Sequence, residues 1–66
     1  MNLRKLRAKL IEQGVNIVTL AEIIGIDRST MYRKLNNFEK ITIGEAKQIK
    51  EVLLLTDEEA SEIFLS

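Results

Sequence analysis

Sixty-six residues without cysteine or histidine exclude disulfide bracing and the usual zinc sites, so stability must come from helix packing, capping or a second copy. An apolar share of 45% with 30% charge describes a folded globule, and no apolar run approaches the ~20 residues that span a bilayer. Net charge is zero but split: residues 1–40 hold eight Lys/Arg against four acids and residues 41–66 two against six, a polarity that offers one basic half to phosphates.

The first helix is predicted over about Leu3–Gln13, with Leu3, Leu6 and Leu10 on one face and Gly14 as a left-handed stop. Four later helix starts share one local pattern, in Val15-Asn16-Ile17-Val18-Thr19-Leu20, Ile26-Asp27-Arg28-Ser29-Thr30-Met31, Ile41-Thr42-Ile43-Gly44-Glu45-Ala46 and Leu55-Thr56-Asp57-Glu58-Glu59-Ala60. Each places a capping Asn, Asp or Thr after one apolar residue and four positions before another, the arrangement of a hydrophobic staple. Glu45 and Glu59 complete capping boxes with Thr42 and Thr56. The segments between these starts share nothing else, so they are not a structural repeat.

The second helix follows over about Ile17–Ile24, burying Ile17, Leu20, Ala21 and Ile24, and the third over about Arg28–Asn36, burying Met31 and Leu35. The fourth covers about Ile43–Leu54 with Ala46, Ile49, Val52 and Leu53 inward. The fifth covers about Asp57–Leu65 with Ala60, Ile63 and Phe64 inward. No segment alternates as a strand does, so the expected fold is all-α, five short helices in one domain spanning 1–66.

The second and third helices are separated only by Gly25, Ile26 and Asp27, so they must cross steeply. Gly25 supplies the positive φ of the corner, Ala21 permits close approach, and Ile26 plugs the angle. At roughly 100° per residue, Ser29, Arg33 and Asn36 lie farthest from Met31 and Leu35, with Tyr32 on the flank and Arg28 at the tip.

The stretch from Ile17 to Asn36, above all Ile26-Asp27-Arg28-Ser29-Thr30-Met31-Tyr32-Arg33-Lys34-Leu35, resembles the helix-turn-helix of bacteriophage Cro and repressor proteins, the XRE-like family. The likeness extends through the last two helices. It departs at Lys34, where that family has an apolar residue, a role Leu35 takes. The resemblance implies a λ-repressor-like domain in the cytoplasm of a bacterial host cell, a phage or prophage transcription regulator placing its third helix in the major groove of a double-stranded operator. Arg28, Ser29, Tyr32 and Arg33 become the base-reading candidates, and at least one guanine per half-site is expected opposite Arg28 or Arg33. Asn16, Thr19, Lys34, Asn36, Asn37 and Lys40 become candidates for phosphate contact, with Lys5 and Lys9 adding long-range attraction.

Phage operators with two-fold symmetry imply a homodimer, for which Phe64 and Leu65 are the candidate contacts. Each feature also has a plainer use. Asn16, Asp27, Thr42 and Thr56 are caps first; the basic residues of the first helix suit a solvated face; and the acids at 57–62 complement a helix dipole. Without histidine, cysteine or a glycine-rich phosphate loop, no enzyme, metal or cofactor is expected. The remaining alternative is a protein-interaction module on the same scaffold, an antirepressor or a binder of another regulator. The initiating Met1 and the finished fifth helix favour a complete chain.

Overall fold

The computed structural model describes residues 2–37 and 41–65. They form five helices: α1 (Leu3–Gln13), α2 (Ile17–Ile24), α3 (Arg28–Asn36), α4 (Ile43–Val52) and α5 (Asp57–Phe64). No strand occurs among the described residues. The first three helices coincide with their predicted spans because each has a side-chain cap in front, and α1 and α2 end at a left-handed glycine.

Helix α2 packs on both α3 and α4, while α5 returns to α1. The Asn2 N–H donates to the Ile63 carbonyl at 2.7 Å, fastening the start of the fold to its last helix. The fully buried side chains Leu6, Leu20, Met31, Leu35, Ile49, Leu53 and Ile63 come from every helix or its cap. Each contributes about 1.5–3 kcal/mol on burial. Removing any one helix therefore opens the shared core.

Three links repeat one construction. In Gly14-Val15-Asn16, Gly25-Ile26-Asp27 and Leu54-Leu55-Thr56, a residue at positive φ is followed by an apolar residue and then by the next helix's cap. The apolar N–H reaches back to the preceding helix in every case: Val15 to the Leu10 carbonyl (2.9 Å), Ile26 to Ala21 (3.0 Å), Leu55 to Lys50 (3.0 Å). The residue before it closes the shorter bond, to Ile11, Glu22 and Glu51 respectively, which completes a Schellman motif.

Here the expected boundary of α4 is corrected. The helix stops at Val52, not Leu54, because Leu54 itself takes the left-handed conformation at φ +52°. That turn buries Leu53 and Leu55 and leaves Leu54 79% exposed. Helix α5 likewise ends at Phe64, with Leu65 as its cap.

Candidate nucleic-acid interface

The corner that positions the site begins at Gly25, whose φ of +80° lets the chain leave α2 and enter α3 within three residues. A Cβ at this position meets no atom within 4 Å, so glycine is required by backbone conformation and not by space. Asp27 then starts α3, its Oδ2 accepting from the Ser29 N–H at 2.9 Å. Hydrogen bonds from Ser29, with smaller help from the Thr30 N–H and the Arg28 charge, hold the Asp27 carboxyl below the ordinary carboxylate range.

Met31 and Leu35 turn inward at 1% and 2% exposure, which fixes the rotation of α3. Arg28, Ser29, Tyr32, Arg33 and Asn36 consequently form an exposed strip on its outer side, with Arg28 at the free tip. The Arg33 guanidinium donates to Thr30 Oγ1 at 3.3 Å, a single exposed bond within the helix. All four base-reading candidates thus share one solvent-facing surface.

The phosphate candidates divide. Asn16 and Thr19 are exposed at the start of α2, where Asn16 Oδ1 accepts from the Thr19 N–H at 2.8 Å. Asn36 and Asn37 are exposed at the end of α3. Lys34 is oriented otherwise: its ammonium donates to both Glu45 oxygens, at 2.7 and 2.8 Å, with only 20% of the side chain exposed. A half-buried ion pair between α3 and α4 therefore fills the position where the resembled family has an apolar residue. Lys5 and Lys9 are paired with Glu62 and Glu59 and tie α1 to α5. Lys40 lies outside the described residues.

Two residues escaped the sequence reading. Arg7 lines a shallow hollow with Ile11, Asn16, Ile17 and Tyr32, where the end of α1, the start of α2 and the flank of α3 meet. Its helical spacing from Arg4 was legible, but which flank of α1 faces α5 was not. Ile43, 80% exposed at the first turn of α4, was read only as a helix start. It borders an apolar hollow between α4 and α5 lined also by Ile41, Ala46, Ala60, Phe64 and Leu65. Of the dimer candidates, Phe64 is core at 9% exposure and Leu65 stands out at 82%.

Among the described residues no group of acidic side chains is placed to hold a metal ion, and no helix is long and apolar enough to cross a membrane. Residues 5–37, half of the chain, match the family described as the helix-turn-helix domain of resolvase. The match supports a helix-turn-helix DNA-binding domain and not the narrower Cro and repressor type. No curated protein and no solved structure shows significant similarity to the chain. The chain belongs to the resolvase helix-turn-helix family.

Proposed function

From that membership as premise, we propose that the chain is a sequence-specific regulator of transcription that binds duplex DNA by placing α3 in the major groove. One observation carries the reading: Arg28, Ser29, Tyr32 and Arg33 stand in solvent on a helix propped across its predecessor by the Gly25 corner. Arg28 and Arg33 present guanidinium groups that match the O6 and N7 acceptors of guanine, each such pair contributing ~1–3 kcal/mol of discrimination. Asn16, Thr19, Asn36 and Asn37 flank this strip as neutral donors to phosphate, and Lys40, three positions after Asn37 in the sequence, is the cationic candidate.

In this reading the 66 residues act as one domain in the cytoplasm of a bacterial cell, as a repressor or Cro-like protein of a phage or prophage. Two copies occupy half-sites about one helical turn apart. The apolar hollow beside Ile43 and Leu65 is the contact between them, since a two-fold interface needs a patch bearing both projections and a recess.

Selection from random duplexes, followed by salt titration of the winning sequence, tests the proposal. Wild type is expected to return sites with a fixed guanine, and Arg33→Ala to relax preference at one position at a cost of ~1–3 kcal/mol. Selected sites lacking any fixed guanine contradict arginine readout. The same apolar hollow also suits the second reading, a module that captures another regulator. That reading predicts partner affinity nearly independent of salt and no enrichment of any duplex.

A further inference from the structure

The chain's basic residues fall into two classes. Of the described lysines, Lys5, Lys9, Lys34 and Lys50 are each in an ion pair, with Glu62, Glu59, Glu45 and Asp57 respectively. The arginines Arg4, Arg7, Arg28 and Arg33 are all exposed, and none enters an ion pair among the described residues. Those four lysines hold helices together, whereas Lys47 and the four arginines face solvent. Two of those arginines are on α3, in the strip already assigned. The other two are on α1.

Helical spacing separates the charges of α1 into opposite flanks. Lys5, Lys9 and Glu12, at i, i+4 and i+7, share the side that meets the acids of α5. Arg4, Arg7 and Ile11, at i, i+3 and i+7, share the other side. That second flank is continuous with the recognition surface, because Arg7 and Ile11 line the same hollow as Asn16 and Tyr32.

We propose that Arg4 and Arg7 extend the DNA-binding surface onto α1, as charge contacts to the phosphates flanking the groove that receives α3. The inference rests on the DNA-binding reading above. It assigns the electrostatic role to the arginine flank and withdraws it from Lys5 and Lys9, whose charges are neutralised within the fold. Contacts of this kind carry no sequence information; they position the domain and raise affinity for every duplex alike.

The test titrates the full chain with two duplexes of about 20 base pairs, one of random sequence and one selected by the wild type, across a range of KCl. For the double variant Arg4→Ala/Arg7→Ala, affinity is expected to fall by the same factor on both duplexes. The slope of log K against log salt should flatten by about 1.8, or 0.9 for each lost phosphate contact. Arg4→Lys/Arg7→Lys should keep the wild-type slope, since a phosphate contact needs the charge and not the fork. Lys5→Ala/Lys9→Ala should keep the slope while lowering the thermal midpoint.

An unchanged slope for the alanine pair, in a variant whose circular dichroism and melting match wild type, overturns the proposal. So does failure of the lysine pair to restore it. If either result comes with Arg33→Ala still altering preference, the α1 assignment fails alone. If the wild type shows no salt-dependent binding to either duplex, the DNA reading fails and this inference with it.

Discussion

Two residues in equivalent conformations show how far single positions govern this fold. Gly25 and Leu54 both hold positive φ at the end of a helix, at +80° and +52°, and both are followed by an apolar residue that closes the same backbone bond. A side chain in this region costs roughly 1–2 kcal/mol, offset by about 0.4–1 kcal/mol because glycine loses more entropy on folding. Substitutions should therefore have opposite signs at the two sites. Gly25→Ala is expected to destabilise by about 0.5–1 kcal/mol through backbone strain, since its new Cβ meets nothing. Leu54→Gly is expected to stabilise by a similar amount, because the exposed leucine gives up little burial. Urea midpoints at unchanged m-value would report both, and a lower midpoint for Leu54→Gly contradicts the argument. The contrast also explains which turn was legible in the sequence. A glycine after an apolar helical face announces a left-handed stop, whereas a leucine between Leu53 and Leu55 reads as more core, and α4 was extended through it. Only tertiary structure distinguishes them, by burying Leu53 and Leu55 and leaving Leu54 outside.

At the scale of the element, capping and the apolar period located all five helices, while their mutual orientation depends on pairings that no local pattern contains. Helix α3 shows this. The burial of Met31 and Leu35 sets its rotation and was readable from spacing, so the exposed strip from Arg28 to Asn36 was readable too. The attachment of its far side to α4 by Lys34 and Glu45 joins residues distant in sequence, and it turns a residue expected on DNA toward the protein. Glu45 has two tasks, since its Oε1 also accepts the Thr42 N–H at 2.9 Å while its own N–H donates to Thr42 Oγ1. Lys34 has no comparable part in the capping box. Lys34→Met should thus cost about 1 kcal/mol, because removing one partner of a mostly buried ion pair strands the other. That variant frees Glu45, whose remaining cap bonds and partial exposure limit the penalty. Glu45→Ala should cost more, about 1–2 kcal/mol, by losing the cap and stranding the lysine together. Chemical denaturation of the two variants decides the matter, and equal losses would mean that the box contributes nothing beyond the ion pair.

For the whole molecule, the charge split between the halves has a different meaning from the one its arithmetic conveyed. The acids of α4 and α5 do not form a free negative face; Glu45, Asp57, Glu59 and Glu62 neutralise lysines, chiefly those of the basic half. Folding is consequently coupled to the ionisation of Glu45, Asp57 and Glu59. The Lys9 ammonium bonded to Glu59, with the Thr56 N–H, lowers the Glu59 carboxyl from 4.5 to about 2. Lys34 and Thr42 lower Glu45, and Lys50 lowers Asp57, in the same direction. A carboxyl whose value is depressed by folding contributes stability that is present in full above its unfolded value and is lost as pH falls toward its folded one. For Glu59 that window runs from about 4.5 down to about 2. Lys9 is raised from 10.5, so its share persists below that value and disappears only as pH rises through the raised one. With no histidine or cysteine in the chain, no side-chain type present has its ordinary value between about pH 5 and about pH 9. The melting temperature is therefore expected to be level from about pH 5 to about pH 9 and to fall steadily in acid below that plateau. Duplex affinity at fixed salt should be level over the same range, because guanidinium groups in general do not deprotonate in proteins. Glu59→Gln should lower the plateau while flattening the acid limb, since the amide supplies no titration to lose. An acid limb as steep in Glu59→Gln as in wild type would show that the α1–α5 tie does not control acid unfolding, and would move that role to Glu45 and Asp57.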